Sequence, residues 1–537
     1  MKTIIIFLLS FYSIAVSSAD LDTIKAKFIA KRSILHIREN KYPAPPAQFA
    51  FPSPPVNINH IFTLSGDSLL ITANVNNITH KASNENLGTS IYSLSISGQN
   101  DSRSIFNYTN DTFQFAAVNK VLGQNLNMSG SRLYQVYNPL IAGSYRKKID
   151  QAHVACDSLN IPESNFVLCL EKIKPEYSLG DRELPDSIYT NAINYIKQKG
   201  YQFRKIEIAN EPFYCWGVYS TDSTYARYVR QKYTLIKSID TTFLVGISPM
   251  RKSFSATSVL RKAANHYDWV SPHWYAWVYW QNMSYPAGIL SENYRTISYS
   301  AKLNDSINVI NARTPYQFDT EYRIYCWADS TTGESDLRIT NIVGASHMAV
   351  RMIYNTRDGY ERGSNSWNYN STSANALIPS GYVNTYGTYL LGDGKQNATY
   401  WMKYYFQRHS YANVVNFTGY SPSVTDTVNR HVDEGTGALR VGVTGPRTPT
   451  IITTNSTKTK MGIIIVNGTS TSTPFSISLS NFIPSTIVGK QITDELDAWR
   501  IIPNEATVVS TLIVNYSAGK LTGNLAPYSI NYIDLTK

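Results

Sequence analysis

The sequence predicts an α/β fold: a (β/α)8 TIM barrel with a C-terminal antiparallel β-sandwich. Three observations carry that expectation. Short apolar runs alternate with helical-period segments from about residue 86 to residue 394. Beyond residue 395 the runs become short β-strands separated by Asn, Gly, Ser and Pro. The chain has 537 residues, enough for a barrel of roughly 250 residues and a second domain.

The first residues read as an address. Lys2 precedes the apolar stretch Thr3 to Val16 and the small residues Ser17, Ser18 and Ala19. That order is a secretory signal peptide over residues 1–19, so a secreted, extracellular protein is expected. The stretch is shorter than the roughly 20 residues that span a bilayer, and no membrane anchor is expected. Residues 20–57 form a Pro-rich arm, ending in the extended segment 40–56. Residues 58–83 hold the β-branched run 68–75, which lies ahead of the barrel and needs a sheet to pair with. It is assigned to the sandwich.

Barrel strands are read at 87–94, 132–137, 166–170, 205–209, 243–247, 269–272, 316–320 and 364–367. Helices are read between them at 186–198, 222–237 and 336–356. In the first of these Ile188, Ala192, Tyr195 and Ile196 share a face, with Pro185 before it and Gly200 after it. No Gly-rich nucleotide fingerprint follows the first strand, which argues against a doubly wound dinucleotide fold. The barrel is therefore placed at 84–394 and the sandwich at 395–537, with strands at 439–443, 461–466, 475–479, 507–514 and 528–535.

Apolar residues make up 43% and charged residues 16%, the balance of a globular chain. Lys and Arg number 49 against 38 Asp and Glu, a formal charge of +11. A basic exported protein favours anionic partners such as acidic polysaccharides. There is no Lys/Arg block, so nucleic acid is not an expected partner. N-x-[ST] sequons recur, among them Asn77, Asn107, Asn127, Asn282, Asn397, Asn416, Asn467 and Asn515, which predicts a glycoprotein if the host glycosylates. Four cysteines leave several arrangements open: Cys215 with Cys326, Cys156 with Cys169, or buried thiols.

The chemistry of a barrel sits at the C-terminal ends of its strands. The fourth strand ends Ala209-Asn210-Glu211-Pro212 and the seventh ends Asp319-Thr320-Glu321-Tyr322. Each presents a glutamate where its strand opens into a loop. Glycosidic cleavage needs two carboxyl groups with unlike duties: one donates a proton to the leaving oxygen, the other attacks or supports the anomeric carbon. Strands four and seven lie on different sides of a barrel mouth, so these glutamates can face each other across a sugar. Aromatic residues crowd the same loops, including Trp216, Trp274, Trp277, Trp280 and Trp327. Trp367, at the end of strand eight, is the expected platform for the C–H face of a sugar.

Asn210-Glu211-Pro212, Glu321 after an apolar strand, and His273-Trp274-Tyr275 after strand six resemble the active-site set of clan A retaining glycoside hydrolases. The order of these motifs, with a C-terminal sandwich closing at Pro527-Tyr528-Ser529-Ile530, is similar to the arabinofuranosidase, xylosidase and heparanase-like branches, over roughly residues 68–537. The resemblance implies Glu211 as acid/base and Glu321 as nucleophile, working by double displacement on a polysaccharide or oligosaccharide. It implies that Asn210 binds the sugar 2-OH and that His273 and Tyr275 hold Glu321, with Trp274 alongside as a substrate-binding residue. Arg132 would keep the nucleophile ionised, although the clan's Gly-rich sequel is replaced here by Leu133-Tyr134-Gln135. No cofactor and no metal are expected, since His273 and His347 are scattered singles. The competing reading is a catalytically inactive carbohydrate-binding protein on the same scaffold, whose mark would be loss of one carboxylate.

Overall fold

Two sheets organise the chain, and a different sequence rule builds each. The computed structural model describes residues 61–83, 90–91, 132–133, 144–159, 162–170, 183–209, 212, 221–249, 256–273, 275–279, 287–312, 315–327, 342–366, 370–371, 378–379, 398–425, 443–493 and 508–537.

Strands β1 (Phe62–Leu64) and β2 (Leu69–Lys81) come first, followed by β3 (Ser90–Ile91) and β4 (Arg132–Leu133). The chain then alternates through α1 (Ser144–Leu159), β5 (Val167–Leu170), α2 (Asp186–Lys199), β6 (Lys205–Ile208), α3 (Asp222–Ile239), β7 (Leu244–Ile247) and α4 (Ala256–Lys262). After these come β8 (Trp269–Val270), β9 (Tyr275–Tyr279), α5 (Ala287–Ile310), β10 (Tyr316–Trp327), α6 (Ile342–Asp358) and β11 (Gly363–Ser366). Each of the eight barrel runs read from the sequence overlaps one of these strands.

The sheet order is β11-β10-β8-β7-β6-β5-β4-β3, with β9 paired on β10. All of these pairings are parallel. Chain neighbours lying side by side through helical crossovers is the winding of a (β/α)8 sheet. Among the described residues no pairing joins β11 back to β3, so the observed unit is a parallel sheet in barrel order.

Alternation sorts its side chains. Ile206 and Ile208 of β6 pack into the large core with Ile193 and Ile196 of α2 and Tyr225 and Val229 of α3. Lys205 and Glu207 take the other face, and both are buried. On that inner face Val167, Trp269 and Phe318 form their own cluster, and the Lys205 ammonium lies 5.1 Å from the Phe318 ring centroid. The helices keep to their sequence signals. Pro185 precedes α2 and Gly200 ends it, while Thr221 and Thr224 make a reciprocal capping box at the start of α3.

The second sheet follows the short pair β12 (Asn370–Ser371) and β13 (Ile378–Pro379) and helix α7 (Ala398–His409). Its strands begin with β14 (Asn413–Ser421), beside the small pair β15 (Ser423–Val424) and β16 (Gly445–Pro446). The rest are β17 (Thr450–Thr454), β18 (Lys460–Asn467), β19 (Thr473–Ser480), β20 (Thr486–Ile492), β21 (Val509–Thr511), β22 (Val514–Ser517), β23 (Lys520–Leu525) and β24 (Ser529–Thr536). The order is β21-β20-β24-β18-β17-β14-β2-β19-β23-β22. The early strand β2 thus lies mid-sheet, antiparallel to β14 and parallel to β19.

The run 507–514, read as one strand, is broken at Leu512-Ile513. There the chain passes from the β20–β21 end of the sheet to the β22–β23 end, and the Leu512 N–H donates to the Gly489 carbonyl at 3.1 Å. The sheet is thereby bent round a core of its own that includes Ile71, Phe417, Ile463, Phe475, Leu521 and Ile533. Residues of the opposite faces, such as Ile451, Ile464 and Tyr532, join the large core between the parallel sheet and its helices instead. The Tyr532 hydroxyl donates to the Met402 carbonyl of α7 at 2.9 Å. The pairing of Cys156 with Cys169 does not occur: both thiols are buried and no disulfide joins them. Burial pushes the Cys156 thiol well above its ordinary value.

Candidate active site

Parallel pairing brings the C-terminal ends of β6, β8 and β10 to one edge of the sheet, and each end departs from regular geometry. After β6 comes Ala209, with φ 60. A left-handed conformation costs a residue bearing a Cβ about 1–2 kcal/mol, so the surroundings must impose it. They do. The Ala209 N–H donates to the Leu170 carbonyl at 3.1 Å, and the Tyr225 hydroxyl of α3 donates to the Ile208 carbonyl at 3.0 Å. Burial holds the Tyr225 phenol well above its ordinary value, and the nearby Glu207 charge raises it further. The strand therefore turns sharply just before Asn210 and Glu211.

After β8 the backbone turns in the same manner. His273 has φ 50 and its ring is completely buried, with Nε2 3.5 Å from Oε1 of Glu207, which is equally buried. Glu207 is in register with Cys169 on one side and Gly246 on the other. Gly246 has no side chain to place between β6 and β8, and the Trp269 indole fills that room, since a Cβ there would overlap its ring. The glycine is required by this close approach. At the end of β7, Ser248 is buried and its hydroxyl has no hydrogen-bond partner among the described residues.

The end of β10 carries a bulge. Its register on β11 runs Phe318 to Gly363 and Asp319 to Ser364, then jumps to Tyr322 opposite Ser366. One extra residue is thus inserted in the stretch that contains Glu321. Bulges of this kind re-aim side chains and occur beside active sites. Beyond the bulge Arg323 is the partner of Tyr275 on β9. That register sets the backbone of Tyr275 two residues along from Glu321.

Among the expected site residues, His273 is described in full. Arg132 lies on β4, Tyr275 on β9 and Glu321 on β10, with the backbone alone described. Asn210, Glu211, Trp274 and Trp367 lie outside the described residues. Sequence reasoning passed over Glu207. Its signal was present: a carboxylate at an inward position of a strand whose alternate positions are Ile206 and Ile208. Among the described residues no group of three or more His, Cys, Asp or Glu could hold a metal ion, and no helix is long and apolar enough to cross a membrane.

No family model matches the sequence, and no curated protein matches it. Solved structures do match. An α-L-arabinofuranosidase from Thermotoga maritima, solved in complex with arabinose, superposes with a TM-score of 0.64 at 12% identity, covering 88% of this chain and 100% of that one. A family 51 α-L-arabinofuranosidase from Bifidobacterium longum gives 0.62 at 14% identity over 88% and 100%. A family 30 endoxylanase from Clostridium papyrosolvens gives 0.50 at 12% over 87% and 100%. At such identities the likeness is one of fold, and the fold that this chain resembles is that of the clan A glycoside hydrolases.

Proposed function

We propose that the chain is a secreted retaining glycoside hydrolase that cleaves O-glycosidic bonds of a polysaccharide or oligosaccharide. The observation that carries the reading is the convergence of three irregular strand ends on one edge of a parallel sheet in barrel order. Those ends lead into Asn210-Glu211, into His273-Trp274-Tyr275, and through the bulge at Glu321. In this reading β11 closes on β3 and residues 84–394 form the barrel. Residues 58–83 join 395–537 as the sandwich, and residues 1–19 are removed on export. The basic charge favours an acidic glycan.

The proposed mechanism requires the carboxyl groups of Glu211 and Glu321 to stand about 5–5.5 Å apart, the separation of retaining enzymes. Glu321 attacks the anomeric carbon while Glu211 protonates the leaving oxygen. Glu211 then takes a proton from water, which hydrolyses the glycosyl-enzyme with net retention. Asn210 binds the 2-OH, His273 and Tyr275 hold Glu321, Arg132 keeps it ionised, and Trp274 and Trp367 supply apolar surface for the sugar. The two glutamates separate by role. Glu321→Ala should lose about 10⁴-fold or more in turnover, since no glycosyl-enzyme forms. Glu211→Ala should still be glycosylated by aryl glycosides whose leaving group needs no proton, and then stall. Azide should rescue both, giving a product of retained configuration for Glu211→Ala and of inverted configuration for Glu321→Ala, read by NMR of the product anomers. Exchanged azide products would exchange the roles. A wild-type chain that binds glycans and cleaves none would leave the inactive binding protein.

A further inference from the structure

The carboxylate of Glu207 and the ring of His273 meet although Glu207 lies on β6 and His273 follows β8, a strand that is not its neighbour. β7 lies between them, and at the level of Glu207 it offers Gly246. Both side chains are fully buried. A titratable pair in such a place is not there for cheap stability, since burying charge costs several kcal/mol per ion before any attraction is regained. Its position is the informative part. Glu207 precedes Glu211 by four residues along the strand that leaves through strained Ala209. His273 is itself the strained residue from which Trp274 and Tyr275 depart. The contact thus ties together the two strand ends that bear opposite halves of the site.

We propose, on the catalytic reading above, that Glu207 is a positioning residue. Its carboxylate fixes the proton of His273 on Nε2, sets the ring plane, and so holds the ends of β6 and β8 in one mutual geometry. The advantage is that of preorganisation. A displacement of about 1 Å at a reacting group costs on the order of 100-fold in rate, and the carboxylate partners of metal-bound histidines, which orient an imidazole in the same way, are worth about 10- to 100-fold when removed. The carboxylate matters here for its charge as well as its shape, because it only accepts and so selects the Nε2–H tautomer, whereas an amide can present its oxygen or its NH2 and selects neither tautomer.

The test uses the full chain with a panel of aryl glycosides and reads three quantities. Glu207→Gln keeps the side-chain volume and should lower kcat about 10- to 100-fold with KM changed less than about threefold. Glu207→Asp, which restores the charge, should recover part of that loss. Nitrogen-15 NMR of the wild-type imidazoles, assigned with His273→Gln, should show the His273 proton on Nε2, and in Glu207→Gln the tautomer mixture should shift. Wild-type kcat in Glu207→Gln overturns the proposal. So does a wild-type His273 protonated on Nδ1 alone, a result available even if Glu207→Gln fails to fold. If the wild-type chain cleaves no glycoside, the catalytic reading fails separately, and the ring spectrum still decides whether the pair is formed.

Discussion

Two of the buried carboxylate pairs among the described residues stand at opposite ends of the parallel sheet, one at its floor and one at its mouth, and they are built to opposite standards. At the floor Glu361, just before β11, is bound by Arg351 of α6 and accepts from Asn355 at 2.7 Å and from Ser300 of α5 at 2.6 Å. Arg351 also donates to Thr296 at 3.2 Å, and Gln317 of β10 donates to the Ser300 carbonyl at 2.6 Å. The turn that delivers Glu361 takes its left-handed residue as a glycine, Gly359 with φ 67. At the mouth the Glu207–His273 contact is longer, at 3.5 Å, and the left-handed positions fall on Ala209 and His273. Beside these two pairs, then, the left-handed residue is a glycine at the floor and a residue bearing a Cβ at the mouth. That matches the division of labour in barrels, where the floor serves stability and the mouth serves activity.

The largest effect expected from this contrast is at the floor. Glu361→Gln leaves the Arg351 guanidinium buried without its counter-charge, and breaking a buried pair from one side costs about 3–5 kcal/mol. Chemical denaturation should show that loss, while the surviving folded fraction keeps wild-type kcat. A floor variant that changes kcat per folded molecule as strongly as a mouth variant would erase the distinction between the two ends.

The next effect is in pH. His347 lies one turn before Arg351 on α6, and burial first, then the Arg351 charge, lowers its pKa from the ordinary 6.5 to about 3. The folded state thus refuses a proton that the unfolded chain accepts between these values, and stability falls as the medium is acidified through that window. The slope from this one group is about 1.4 kcal/mol per pH unit, present between about pH 6.5 and 3 and absent above it. Denaturation midpoints of wild type and His347→Gln across that range should diverge accordingly. Parallel pH profiles for the two would mean that the ring is hydrated or already charged in the native state.

Much of the architecture was legible because local rules agree with the global fold. Eight strands of the parallel sheet announce themselves as short apolar runs, and α2 carries Pro185 before it and Gly200 after it. Elements that break the local rules were missed. Strand β17 is Thr-Ile-Ile-Thr-Thr, buried at every position, so it shows no alternation. Helix α7 interleaves Lys403 among buried Trp401, Met402 and Phe406, and burial lowers that lysine to about 7. The proposed site divides in the same manner. Glu211 and Glu321 are proposed from their strand-end positions in the sequence, while the contact of Glu207 with His273, like that of Arg351 with Glu361 and Ser300 at the floor, joins elements that only the folded chain brings together. The register jump at Glu321 is likewise a property of pairing, which a single strand does not display.

The smallest effect tests the strain itself. Ala209 sits at φ 60 with its methyl buried. Ala209→Gly removes the Cβ penalty of about 1–2 kcal/mol in the left-handed region but adds roughly 0.5–1 kcal/mol of unfolded-state entropy and gives up a small buried methyl. The net expectation is a gain of up to about 1 kcal/mol, seen as a slightly higher denaturation midpoint, with kcat/KM held within about threefold because the turn keeps its shape. Ala209→Val should move the other way by about 1–3 kcal/mol, since a β-branched residue tolerates this conformation least. The sign of the glycine variant is what counts. A loss of more than about 1 kcal/mol would show that the buried methyl outweighs the backbone strain, and the contrast with Gly359 at the floor would then reflect packing alone.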